Sequence, residues 1–225
     1  MSMMKMMRVA ALVAGLAALA GSASAGDAVN GTVGVYYVPS ASDSISPGGA
    51  PFDLKSSGQV GGVFAEVGTD WYGSVQYERG SLNIKAKNAP FPVPDDKVST
   101  METRLTGGYH WNFGLGTSVS ANVGYFLDSQ DFKNQEDSTD KGVSAGVAGS
   151  YLLTMIGGVA PLMAWADATS FSLDKSKATE VKFGLKFGLT PSLGGMVGYK
   201  MFDRDWNDNT KEKIRGIVVG LAYLF

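Results

Sequence analysis

From Thr210 to its last residue the chain reads TKEKIRGIVVGLAYLF. Ile217, Val219, Leu221, Tyr223 and Phe225 occupy every second position, and Gly216, Val218, Gly220, Ala222 and Leu224 fill the other parity. A period of two is the signature of a strand with two different faces. One face here is bulky and apolar and ends in two aromatics; the other is small. A soluble sheet would bury the bulky face in a core, whereas a closed barrel in lipid turns it outward and keeps the small residues for a crowded interior. The same alternation recurs along the chain and predicts strands near 28–38, 59–69, 71–83, 98–112, 115–127, 141–153, 158–170, 178–190, 194–204 and 211–225. Residues 141–153 and 158–170 alternate less cleanly, and Pro161 cannot donate to a ladder, although the start of a strand tolerates it. Ten strands are expected, and eight if those two fail to pair.

The predicted connections run long, short, long, short: 39–58, then Asp70; 84–97, then Phe113 and Gly114; 128–140, then 154–157; 171–177, then 191–193; and finally 205–210. Turn formers and charges fill the long ones, as in KNAPFPVPDDK and DSQDFKNQEDSTDK, which places them in water. Short turns on one side and long loops on the other are what a transmembrane meander with both termini on one side requires. Taken with Val219, Leu221, Tyr223 and Phe225, this resembles the small outer-membrane β-barrels of Gram-negative bacteria. The resemblance implies an all-β, antiparallel, up-and-down barrel, and a C-terminal stretch read as an assembly signal by the barrel-assembly machinery. It also implies outer-membrane lipid and lipopolysaccharide as surroundings.

The first residues agree with export. Lys5 and Arg8 precede an apolar run from Val9 to Ala20, followed by Ala23-Ser24-Ala25; this is the pattern of a cleaved signal peptide over 1–25, leaving a barrel domain over 26–225. The run of about 12 residues is short of the roughly 20 that a spanning helix needs. Without Lys5 and Arg8, 17 basic residues face 21 acidic ones, and a chain near −4 lacks the basic face that nucleic acid demands. The absence of cysteine excludes thiolate metal sites, a cysteine nucleophile and disulfides. Thirty glycines among 225 residues suit many strands joined by tight turns.

Strand parity sends a set of charges inward: Glu66, Glu78, Glu102 and Arg104 from strands two to four, and Glu180, Lys182, Lys186 and Lys200 from strands eight and nine. In a ring of ten, strand three faces strand eight and strand four faces strand nine, so pairing across the lumen is expected. A filled, salt-bridged interior is the first reading, because buried charges are costly unless paired; a narrow ion-conducting path lined by the same residues is the second.

Catalysis finds little support. Surface proteases of the omptin family and the lipid A enzymes among small barrels use a histidine, in omptins with Asp at the extracellular rim. The single histidine here, His110 in GGYHWNFG, falls beside a short turn at the opposite end, so none of those residues carries over, and His110 reads as structural. Asp128, Asp131, Glu136, Asp137, Asp140, Asp203, Asp205 and Asp208 match no calcium-loop spacing and read as solvated loop acids. No residue pattern calls for a cofactor. The expectation is therefore a barrel with a structural or surface-interaction role, acting through its extracellular loops on a partner the chain does not name. A small passive channel is the alternative, and an envelope enzyme stands third.

Overall fold

The structure, a computed structural model, describes residues 30–47, 53–87, 96–114, 116–132 and 138–225. The leader over 1–25, and Glu136 and Asp137, lie outside the described residues. Ten antiparallel strands follow one another: β1 Gly31–Ser46, β2 Asp53–Gly68, β3 Trp71–Lys87, β4 Asp96–Asn112, β5 Ser118–Phe132, β6 Ser138–Ile156, β7 Ala160–Leu173, β8 Ser176–Gly188, β9 Leu193–Trp206 and β10 Lys211–Leu224. Each pairs with its sequence neighbours, and β1 pairs with β10 to close the barrel. Both weakly alternating segments are strands, and Pro161 sits one residue into β7, where a missing donor is tolerated.

The strands are longer than the alternation suggests, 13 to 19 residues, against roughly 9–11 for a tilted membrane crossing. Most of the predicted loop 39–58 is therefore strand, and so are Asp128, Asp131, Asp140, Asp203 and Asp205. Hydrophobicity marks only the stretch in contact with lipid. Beyond it the ladder continues on backbone hydrogen bonds, with outward residues such as Lys141, Lys177, Lys213 and Asp203 in place of apolar ones.

The outward face carries Val35, Tyr37, Leu105, Val123, Tyr125, Val143, Val147, Phe183, Leu185, Ile217, Val219 and Leu221, all exposed. At 67% exposure for Val123 and 61% for Val143, this is a band that only a hydrocarbon solvent would stabilise. Below it lies a ring of aromatics: Trp71, Trp111, Phe113, Tyr151, Tyr223 and Phe225 are exposed, and Tyr109 packs edge-on between Trp71 and Trp111 at 5.0 and 5.1 Å. Tyr72, next to Trp71 in the chain, points into the lumen and stacks on His110 at 4.0 Å. The girdle surrounds the end that holds Phe225, whose amide donates to Gly31 O at 3.0 Å and whose carbonyl accepts from Gly31 N at 2.9 Å.

Tight turns join the strands at this end. Gly157 and Gly158 have φ of 59° and 75°, a left-handed pair open to glycine at low cost, and Val159 N donates back to Ile156 O. One irregularity affects the whole interior. Between Val38 and Ala41, β1 holds one more residue than either neighbouring strand, a bulge that moves the inward set from even to odd numbers. Below it Tyr36 and Val38 face inward, and above it Ala41 and Asp43 do.

Candidate functional site in the barrel lumen

The lumen is built in layers, each set by register. At mid-height lies an ionic layer. Glu78 on β3 accepts from Lys200 Nζ on β9 at 2.6 and 2.8 Å and from the Tyr36 hydroxyl at 2.5 Å, and Gln76 Nε2 donates to that hydroxyl oxygen at 2.7 Å. Glu180 on β8 is fully buried and touches three cations: Arg104 from β4 at 3.0 Å, Lys182 at 3.0 Å and Lys200 at 3.2 Å. Glu102 stands beside Glu78 in register and turns a buried oxygen, Oε2, toward no hydrogen-bond partner. Removing ions from water costs several kcal/mol each, and only a network this closely paired offsets it.

Above the ionic layer the interior becomes apolar. Phe126, Phe171 and Phe202, each 2% exposed or less, form one cluster with Ala178; Val38, Ala41, Val60, Leu82 and Val218 form another. The guanidinium of Arg104 lies 4.7 Å from the centre of the Phe171 ring, joining the two layers by a cation–π contact. Higher still is a second ionic layer centred on Arg204 of β9. Its guanidinium donates to Asp128 at 2.5 Å, to Asp140 at 2.9 Å and to Ser176 Oγ at 2.8 Å, and Glu212 stands 3.8 Å away. Ser176 in turn donates to Asp140 at 2.6 Å, and Asp43 accepts from Ser56 at 3.0 Å. Among the described residues, the half of the barrel toward the long connections is packed with buried side chains; beside Glu78, Glu102 and Lys200 there is a void of about 10 Å³, the size of a single water.

Below the central layer the barrel is hollow. A cavity of about 870 Å³ runs from Glu78, Arg104 and Lys200 down to the turn residues Val159, Thr190 and Pro191. One wall, from β2 to β5, is polar: Glu66, Ser74, Thr106, His110, Ser120 and Asn122. The facing wall holds Met163, Trp165, Lys186 and Met196, separated by inward glycines. His110 Nε2 lies 3.4 Å from Glu66 Oε1, a pair with partial exposure that binds β4 to β2 across the intervening β3.

All eight predicted lumen charges face inward, but they do not form one cluster. Glu78, Glu102, Arg104, Glu180, Lys182 and Lys200 assemble at mid-height, whereas Glu66 and Lys186 line the hollow below. The cross-lumen pairs join β3 to β9 and β4 to β8, one strand away from the diametric partners expected of a regular ring. The arrangement around Arg204 has no counterpart in the sequence reading, which assigns Asp128 and Asp140 to a loop. Extending the inward parity of β5, β6 and β9 by a few residues would have found it. His110 occupies the inward, turn-proximal place expected of it. Of the acids weighed as loop ligands, Asp128 and Asp140 bind Arg204 and Asp203 binds Arg215 at 2.6 Å.

Two solved structures share this architecture. The β domain of the Bordetella autotransporter Brka superposes with a TM-score of 0.52 at 12% identity, covering 88% of this chain and 99% of that one. The outer membrane protease OmpT from Escherichia coli superposes with a TM-score of 0.50 at 10% identity, covering 87% and 97%. No family model and no curated protein sequence matches the chain. The fold is that of the outer-membrane β-barrels of Gram-negative bacteria.

Proposed function

We propose that this barrel serves the outer membrane as a structural or surface-interaction protein, presenting its extracellular loops to partners outside the cell and carrying out no catalysis. The observation that carries the reading is the filled extracellular half: two ionic layers and an aromatic layer occupy the cross-section. A rigid scaffold with exposed connections is where recognition concentrates. The connections are those left once the strands are drawn at their full length, 47–52, 88–95, 133–137, 174–175 and 207–210, together with the charged strand ends that carry them. Lipopolysaccharide surrounds this rim, and the assembly machinery reads Val219, Leu221, Tyr223 and Phe225 during biogenesis. Replacing each loop in turn by a short Gly-Ser turn tests the reading. Surface binding or resistance of the envelope to detergent should fall for at least one replacement; unchanged behaviour for all five would sink it. Lipid A modification and peptide cleavage assays on the purified barrel should show no turnover.

A second reading, a small passive channel, draws support from the hollow periplasmic half, which brings water to Lys182 and Lys186. Steady conductance of the purified protein in a planar bilayer would favour it over the filled-scaffold reading.

A further inference from the structure

The hollow half is more than a widening of the barrel. Its volume of about 870 Å³ falls within the roughly 300–1,000 Å³ range of small-molecule sites, and one apolar wall facing a few convergent polar groups is their usual composition. The space is produced by sequence: inward positions 184, 188, 194, 198 and 220 of β8 to β10 are all glycine. Trp165, Gly184 and Gly198 share one row of the sheet, and a Cβ at Gly198 would come within 3.0 Å of the indole ring. A side chain at Gly198 would press on the indole, and glycine there leaves the ring its place.

Lys186 is the distinctive group. Met163 and Met196 flank it in register, and its ammonium lies 5.3 Å from the centre of the Trp165 ring. Among the described residues no carboxylate stands within ion-pair distance of it. The nearby charges already have partners: Lys182 holds Glu180 at 3.0 Å, Asp167 accepts from Thr169 at 3.2 Å, and Glu66 faces His110 at 3.4 Å. A cation flanked by thioethers and an indole, at the side of a closed-ended and water-accessible hollow, complements a flat apolar anion.

We propose that the hollow is a binding site, entered from the periplasmic end, for a small aromatic carboxylate, whose carboxylate pairs with Lys186 while its ring packs against Trp165, Met163 and Met196. The site ends at the central ionic layer, so it receives a ligand and does not pass one on. It is independent of any partner at the loops.

Tryptophan fluorescence of the folded barrel in lipid nanodiscs tests this, with 4-bromobenzoate as the probe because its heavy atom quenches an indole in contact. The wild type should show a saturable quenching component, and Trp165→Phe should lose it. In Lys186→Met the midpoint should rise tenfold or more, and Lys186→Arg should restore it. The uncharged 4-bromobenzyl alcohol should bind at least tenfold more weakly than the carboxylate. Quenching that never saturates, or that persists unchanged in Trp165→Phe, overturns the site. Equal binding of carboxylate and alcohol, or no change in Lys186→Met, overturns the role of Lys186. Heat-modifiable gel mobility identifies the folded variants; if Lys186→Met does not fold, the carboxylate and alcohol comparison on the wild type decides.

Discussion

Replacing Glu180 by glutamine should be among the most damaging single changes in the lumen. The carboxylate is fully buried and lies 3.0, 3.0 and 3.2 Å from Arg104, Lys182 and Lys200. At an effective dielectric of about 20, each contact at that distance is worth roughly 5 kcal/mol of gross attraction. Desolvation of the carboxylate and of its partners opposes most of that. What remains after substitution is a set of uncompensated cations: Lys200 keeps Glu78 at 2.6 Å, but among the described residues Arg104 and Lys182 have no other ion pair as short. Breaking a buried pair from one side costs about 3–5 kcal/mol, and that is the loss expected here. The measurement is the urea midpoint of the refolded barrel in lipid vesicles, read by tryptophan fluorescence and by gel mobility. Glu66→Gln supplies the comparison, since Glu66 is 39% exposed and pairs with His110 at 3.4 Å, an arrangement worth about 1 kcal/mol or less. If Glu180→Gln lowers stability no more than Glu66→Gln, the central layer is not a coupled network and the account given of it fails.

Other outcomes follow from the same geometry. Deleting Phe225 removes its two backbone hydrogen bonds to Gly31 and a girdle ring, and should reduce assembled barrel in the outer membrane several-fold, measured as heat-modifiable protein in membrane fractions; normal assembly would end the assembly-signal reading. Arg204→Met strands Asp128, Asp140 and Glu212 in the upper layer and should cost about 3–5 kcal/mol in the same urea assay. Gly34→Ala places a Cβ 2.5 Å from the Phe64 ring and 2.8 Å from Leu221 O, so a loss of about 1–3 kcal/mol is expected from overpacking. In planar bilayers the wild type should show no steady conductance, and Glu180→Ala combined with Lys200→Ala should stay closed because Phe126, Phe171 and Phe202 still fill the level above.

The alternation of β10 or β8 is enough to assign their faces, because lipid on one side and water or ions on the other impose opposite demands on successive residues, whereas the weaker alternation of β6 and β7 leaves ten and eight strands both open. The ends of the strands were hidden for the same reason. Once the outward face leaves the lipid, Lys213 and Asp203 are as acceptable there as Ile217 and Met201 are within it, and the period of two no longer shows as hydrophobicity. Hence Asp128 and Asp140 looked like loop acids, although they bind Arg204. Parity also shows that Lys186 and Lys200 both face inward, but not that one lies in a hollow and the other in a closed layer. That difference depends on the volumes of neighbouring strands, such as the glycines around Lys186 and the Phe202 ring above Lys200.

The bulge in β1 also bears on how the cylinder shuts. Pairing between β1 and β10 consists of one run from Thr32 with Leu224 to Tyr37 with Val219, and another from Ser42 with Arg215 to Ser46 with Lys211, with a dislocation between them. Six pairs on one side and five on the other means that the closing seam is two short zippers in series, each with its own alignment. A chain that closed the girdle-side zipper first would hold Tyr36 and Val38 inside while Asp43 still waited to be turned inward. The last step of folding would then be a local settling of about five residue pairs at the outer rim, and a one-residue deletion at 39 or 40 would remove the dislocation, joining the two zippers into one continuous ladder with Asp43 still facing inward.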